Sequence, residues 1–559
     1  MKKLKFIWAA IAVFMAVLML LSACTRKEQQ KPPESDNVTN QAETQQQPKE
    51  ESTPPVRPDE DRFGGDLVIA TASVANTLDP HYSAGATANY QWMQNVFETA
   101  IIMGADGQYY PMICDFDYAD DGLSLKLTVR DYFFSNGEKV TVDDVVASFE
   151  RAGSVGGSFA TKVTDNIIDT KIDGNSVTFT FSQMNVTMLQ EISDLRGPGY
   201  IMPKSVIDKI GTDNQITDTT DIIGTGCYTL KVYKPDVEIV LLRNEKYVAA
   251  DFGGNGPASA HNAYVDTITY SVNTDAASRT AGMIAGDYSI GGILTEMQPY
   301  ADKIGLKKRL MENQWTHAVF FNLSEENKNS PIQDVNLRKA IRAAIDIDAV
   351  MLSVMSGDAS RYILDPSPIT PYNKTYYNDI IKNADYNVHD LTLAKQYLDA
   401  STYNGQEITW LVSEGGAFYK AAVVAIPALE EIGIKVNLRV VDGGSHGDLR
   451  SDPASGFDIG AWETQKAISN PVEQSSLITG TAAGWWKNEK KNAFLEMMRT
   501  SQTGSAQSIK AYEDMCGLIT EEVPYVVFGT GLTLNYTQPD VEMNFEGTNS
   551  YYWNSYFTK

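Results

Sequence analysis

An α/β fold is predicted for this 559-residue chain on three observations. Short runs alternate apolar and polar residues, apolar stripes at helical spacing follow them, and turn residues separate the two kinds of segment. Residues 123–151, LSLKLTVRDYFFSNGEKVTVDDVVASFER, show all three. Leu123, Leu125, Leu127 and Val129 alternate with Ser124, Lys126, Thr128 and Arg130, the two-residue period of a half-buried strand. Ser135-Asn136-Gly137 supplies turn chemistry, because Asn and Gly tolerate positive backbone angles. A helix is predicted next. Thr141 is a good N-cap, Asp143 and Asp144 suit the first turn, and Val142, Val145, Val146 and Phe149 form one apolar stripe.

The N-terminus has a different character. Lys2, Lys3 and Lys5 precede an apolar run at residues 6–21, shorter than the ~20 residues of a spanning helix and suited to a signal peptide. Leu21-Ser22-Ala23-Cys24 resembles the bacterial lipobox, which implies acylation of Cys24 and a membrane held by that lipid. Residues 25–62 are rich in Gln, Glu, Pro, Ser and Thr and nearly free of large apolar side chains, so a disordered tether is expected. No later run is long and apolar enough to span a bilayer. A net charge of −25 argues against nucleic acid and anionic lipid as partners. Cys114, Cys227 and Cys516 are widely spaced, and they read as buried small hydrophobes with at most one bridge.

In chain order, residues 65–70 read as the first strand, and residues 89–100 have helical spacing through Tyr90, Met93, Val96 and Phe97. Residues 176–181 alternate as a strand. Residues 334–346 carry Leu337, Ile341, Ala344 and Ile345 on one helical face. Helices are expected over 390–400 and 421–433, a strand over 434–441, and a buried strand at Phe457-Asp458-Ile459.

Several of these segments, taken together, resemble the extracellular solute-binding proteins of the peptide/nickel class (family 5), which deliver substrate to ABC importers. The stretch 123–151 resembles the first signature, and Asp334 to Asp346, DVNLRKAIRAAID, the second. Leu78-Asp79-Pro80 resembles an early "LDP" turn, and Gly224-Thr225-Gly226-Cys227-Tyr228 a "GTGPY" turn with Cys in place of Pro. The resemblance implies a two-lobe periplasmic-binding-protein-like fold with an extra subdomain inserted in the first lobe. The implied layout is a lipoprotein signal peptide and lipobox at 1–24, a tether at 25–62, lobe I at 63–100 and 221–321, and the inserted subdomain at 101–220. Lobe II then spans 322–527, and 528–559 return to lobe I, with crossings near Asn322 and Val527.

Enzymatic readings are weaker. Gly443-Gly444-Ser445-His446-Gly447 fits the G-x-S-x-G elbow of an exported hydrolase, but residues 448–456 lack helical periodicity, so a polar loop is expected and no catalytic residue is assigned. The five His residues are isolated, so no metal site is expected, and no cofactor is implied. Aromatic residues offer flat contacts with a polar edge to a small ligand. Asp458-Ile459-Gly460-Ala461-Trp462 resembles the family's "GW" strand end, where the Trp lines the cavity; Asn89 and Tyr90 resemble the facing residues of the other lobe. In peptide-binding members an Asp three residues after that Trp takes the peptide's free amine. Here Gln465 stands at that position, with Glu463 nearby. The resemblance therefore implies an extracytoplasmic, lipid-anchored binding protein, not an enzyme, that captures oligopeptides by hinge closure and passes them to an ABC permease. Carbohydrate and chelated metal are the alternative ligands.

Overall fold

The computed structural model describes residues 59–82, 87–212, 214–248, 252–543 and 551–558, with backbone alone for 59, 60, 87, 158, 312–314, 462 and 473. The signal peptide, Cys24 and nearly all of the tether lie outside these residues. The chain joins the fold slightly earlier than expected. Asp59–Arg62 form a 3-10 turn, because the Arg62 guanidinium lies over the rings of Tyr556 and Tyr264, 4.9 and 5.6 Å from their centroids.

One mixed sheet of eleven strands runs through both lobes. At its centre are two long antiparallel strands, Lys307–Phe321 and Tyr525–Thr537. On one side the sheet continues through Ile290–Gly291, Asp66–Thr71, Thr267–Val272, Glu238–Arg243 and Tyr228–Lys234. On the other it continues through Ile459–Gln465, Glu407–Ser413 and Lys435–Val441. Residues 307–312 pair with 532–537, and residues 316–320 with 525–530, with register slips between Glu312 and Thr316 and between His317 and Ala318. We place the passage between lobes at those slips. Asn322, buried and bonded to the Pro453 and Phe457 carbonyls at 2.9 and 3.1 Å, lies one strand-half further into lobe II.

The stretch 123–151 folds as its pattern dictates. Ser124–Val129 is a strand of a four-stranded antiparallel sheet, buried on one face through Leu125, Leu127 and Val129. Thr141 caps the helix Val142–Val155 in a capping box: the Asp144 carboxylate accepts from the Thr141 amide at 2.8 Å. Its other oxygen accepts from the Lys204 amide at 2.6 Å, so one Asp starts two helices. This subdomain shares a continuous apolar core with lobe I. Gly224 and Gly226 are needed for close approach to the end of helix Thr87–Val96. A Cβ on Gly224 would lie 1.9 Å from the Val96 carbonyl oxygen, and one on Gly226 2.5 Å from that of Asn95.

The strand expected at 457–459 begins later, at Ile459. Asp458 is nonetheless bonded on both sides: its amide donates to the Thr409 carbonyl at 2.9 Å, its carbonyl accepts from the Asn322 amide at 2.8 Å, and its carboxylate accepts the Thr409 amide at 2.8 Å. Cys114, Cys227 and Cys516 are buried and free, and burial pushes each thiol up.

Arg151 ends the first signature and is fully buried with Asp79. Its two terminal nitrogens grip the Asp79 carboxylate at 2.9 and 2.6 Å. Asp79 also accepts the Ile216 amide at 2.9 Å, so the pair ties the loop after the first strand to the inserted subdomain. His81 completes the network: its Nε2–H donates to the Tyr200 carbonyl at 2.9 Å, leaving Nδ1 to accept from Arg151 at 2.9 Å. A neutral imidazole is therefore required, and burial, with Arg151 alongside, lowers its pKa to about 4. The unfolded chain, titrating near 6.5, binds the extra proton first as pH falls. Stability from this group is complete above about 6.5 and is lost between there and 4, at a slope of at most about 1.4 kcal/mol per pH unit. His81→Gln preserves an acceptor and a donor without the proton. Its urea-unfolding free energy should decline less steeply than the wild type's over that window; parallel declines would refute the assignment.

Candidate functional site

The strand Ile459–Gln465 lies against the first crossing strand in the register Ala318–Trp462, His317–Glu463, Thr316–Thr464 and Trp315–Gln465. Strand alternation separates these side chains. Thr464 turns into lobe II, where its hydroxyl meets the Ser475 hydroxyl at 2.9 Å and the Gln474 amide oxygen at 3.2 Å. Glu463 takes the other face beside His317, with Oε1 3.5 Å from Nδ1. His317 is buried, which lowers its pKa, while Glu463 opposes that shift and stays half exposed. The ring is therefore neutral at neutral pH, its Nδ1 makes no hydrogen bond among the described residues, and Glu463 faces solvent beside it.

Gln465 closes the strand. Its carbonyl accepts from the Gln474 amide, and its own side chain is half-buried with no hydrogen-bond partner among the described residues. Trp315, directly opposite, is 42 % exposed on this rim and was not legible as a site residue. The Trp462 indole lies outside the described residues. The loop after Gln465 is tightly fixed. Lys466 and Asp365 form a buried ion pair at 2.6 Å, and Asn373 donates to the Ile468 and Ser469 carbonyls at 2.9 and 2.8 Å.

On the lobe I side, the loop 72–78 leaves the carboxyl end of a strand paired in parallel with Thr267–Val272, where open α/β sheets place ligands. Asn89, in the helix Thr87–Val96, is buried and braces that loop: its amide exchanges bonds of 3.0 and 2.7 Å with Asn76. Tyr90 is half-buried and lies within electrostatic reach of Arg196, whose charged form Asp194 stabilises most strongly. Arg196 holds Asp194 through two bonds, at 3.1 and 3.3 Å.

The lobes meet at a polar seam. The Tyr109 hydroxyl of the inserted subdomain donates to Ser469 Oγ at 2.9 Å, and Ser469 donates to Gln190 Oε1 at 2.9 Å. Gly107, at φ +76°, sits on the Ile468 carbonyl, where a Cβ would come within 2.6 Å. Sequence reading missed these four residues, since none carries a local motif.

Ser445 lies elsewhere and corrects one expectation. Residues 443–451 form a helix, not a loop: Asp442 caps it by accepting the Gly444 and Ser445 amides at 3.0 Å each. Three glycines mask the helix in any periodicity count. A strand does precede it, but Ser445 is absent from the positive-φ residues, and its hydroxyl is given to Asp442, the helix's own cap. Among the described residues, no group of three or more His, Cys, Asp or Glu is placed to hold a metal ion, and no helix is long and apolar enough to cross a membrane.

This architecture has counterparts among known proteins. The profile of the bacterial extracellular solute-binding proteins, family 5 Middle, matches residues 108–486. The chain belongs to that family. It is 24 % identical over 482 residues to the probable D,D-dipeptide-binding periplasmic protein DdpA of Escherichia coli, covering 82 % of this chain and 87 % of that one. The ABC transporter substrate-binding protein CtaP of Listeria monocytogenes shares the fold at a TM-score of 0.73 and 18 % identity, over 89 % of this chain and all of its own. The oligopeptide-binding protein AppA of Bacillus subtilis, solved with a nonapeptide, superposes at 0.64 with 20 % identity and the same coverage. The matched span includes the first signature, Tyr109, Gln190, Ser469 and Gln465, and begins after Asn89, Tyr90 and Gly107.

The seam offers a direct test of how the lobes meet. Gly107→Ala adds a Cβ against a backbone carbonyl at a left-handed residue, so the contact should open. Small-angle scattering should give a larger radius of gyration for the variant, and melting should drop by about 1 °C for a loss of about 1 kcal/mol. An unchanged scattering profile would show that the seam does not hold the lobes together.

Proposed function

We propose that this protein captures oligopeptides between its lobes by hinge closure and delivers them to the permease of an ABC importer without chemical change. The observation that carries this reading is a pair of lobes joined, among the described residues, by two crossing strands and touching at a small seam. A frame of that kind opens and shuts at low cost, and binding free energy shifts it toward the shut form. DdpA and AppA are similar over most or all of their length, and their names specify peptides. On this reading Trp462, Gln465 and Glu463 line the lobe II wall, and Asn89 and Tyr90 support the lobe I wall, Asn89 through the loop it braces. Cys24 carries a lipid that holds the protein on the outer face of the cell membrane.

Gln465 makes the reading specific. A hydrogen bond to a charged group contributes ~1.5–3 kcal/mol, against ~0.5–1.5 for a neutral one, so a Gln recognises a free amine roughly tenfold less well than a carboxylate does. Glu463 points to the other strand face, beside His317, and does not replace it. Gln465 therefore faces a neutral part of the ligand, such as an internal peptide group. Calorimetry with a peptide that binds and its N-acetylated form should give affinities within about tenfold. A loss of a hundredfold or more on acetylation would overturn this assignment.

Anchoring is tested separately. Metabolic labelling with a fatty-acid probe should mark the wild type at its processed N-terminus and leave Cys24→Ser unmarked. One acyl chain binds a membrane marginally and two bind it stably, so the labelled protein should sediment with membranes. Absence of label from the wild type would end the lipoprotein reading.

A further inference from the structure

Beside the seam, between the inserted subdomain and lobe II, lies a chamber of about 240 Å³ to which none of the five cleft residues contributes. Its floor is apolar: Met184, Val186 and Leu189 of the subdomain. Tyr109, Tyr118 and Tyr376 complete its walls, and each hydroxyl is already bonded to protein. Tyr109 donates to Ser469, Tyr118 to the Asn185 carbonyl, and Tyr376 is shared between Ser508 and the Gly504 amide. The three therefore present carbon and ring surface rather than hydrogen-bonding groups. Among the polar side chains of the lining, Gln108 and Thr375 have no hydrogen-bond partner among the described residues, and two more lie open on the rim. Asp120 and Gln502, one from each wall, are exposed and have no hydrogen-bond or ion-pair partner among the described residues. Asp120 is the one charged residue of the lining, which contains no Lys, Arg or His.

We propose that this chamber is a second binding compartment for small amphipathic cations, such as an aromatic or branched aliphatic group on a short ammonium arm. The apolar floor takes the body of such a molecule, the tyrosine faces attract its positive end, and Asp120 at the rim neutralises it. A cavity of about 240 Å³ is below the ~300–1,000 Å³ of sites for drug-sized ligands, so the occupant is a single ring or side-chain equivalent. Both lobes supply walls, so the compartment is complete only while the Tyr109–Ser469–Gln190 seam is shut. An occupant binds the shut form alone and draws the lobes together by mass action, whether or not the peptide cleft is filled.

The probes are phenethylammonium and phenylacetate, which share a ring and arm length and differ in charge. The reporter is the methyl resonance of Met184 in protein carrying ¹³C-methyl methionine, assigned with Met184→Leu. Phenethylammonium at roughly millimolar concentration should shift that resonance saturably, and phenylacetate should not. Asp120→Asn should weaken the response several-fold. Gln502→Lys, at an exposed position that folding does not require, should abolish it and admit phenylacetate instead. Trp462→Ala, which damages the peptide cleft, should leave it intact, so a failure of peptide capture is separable from a failure of the chamber. No shift with phenethylammonium, an equal response to both probes, or indifference to Gln502→Lys would each overturn the proposal.

Discussion

The pairing of Lys307–Phe321 with Tyr525–Thr537 is the constraint on which the rest of the molecule depends. Each strand gives one half of its backbone to the sheet of lobe I and the other half to that of lobe II. The lobes therefore cannot part without breaking a ladder, yet they share little else. At the passage the register slips between Glu312 and Thr316, and a bulged ladder bends and twists where a regular one resists. Among the described residues, the seam that faces this hinge includes two hydroxyl-centred hydrogen bonds, one close backbone approach and the packing of Val186 against the lobe II core. Bonds of that type contribute about 0.5–1.5 kcal/mol each, well below the ~8 kcal/mol a micromolar ligand supplies, so the seam holds the lobes only weakly and closure is reversible.

The two signature segments owe their form to buried arginines rather than to ligand chemistry. Arg151 locks the loop after the first strand to the subdomain through Asp79. In the second signature, Arg338 spends its donors on backbone carbonyls: Nε and Nη2 on Glu522, Nε also on Val523, and Nη1 on Ile332 and Gln333. Those groups surround the end of helix Ala506–Glu522, where Val523 adopts φ 45°, a costly conformation for a β-branched residue. The planar fork of a guanidinium can satisfy so many acceptors from one side, which a lysine cannot. Val523 immediately precedes the second crossing strand, so this bracing sets where that strand leaves lobe II.

Local structure was largely legible in the sequence because its causes are local. The Thr141 cap, the helix Leu391–Asp399 and the strand Ser176–Phe181 each follow from residues within a few positions of one another. Where local reading failed, a side chain had taken over a backbone role. Asp442 starts a glycine-rich helix with no periodicity to announce it. The cleft wall was readable only in part. Resemblance pointed to Trp462 and Gln465, but nothing in the sequence showed that Glu463 stands beside His317, or that Asn89 serves the loop through Asn76.

By itself the sequence determined the α/β class, the order of its elements and the two signatures, because these reside in short-range periodicity and capping. The tertiary structure alone decided where the lobes touch and what lies between them. Ser469 meets Tyr109 across 360 positions of chain and Gln190 across 279, and the chamber draws Met184 and Gln502 to opposite walls of one space. Serine, tyrosine, glutamine and methionine have no pattern that foretells such partners. Their roles are fixed when two independently packed lobes are brought to one separation by the strands that join them, and no window of neighbouring residues contains that distance.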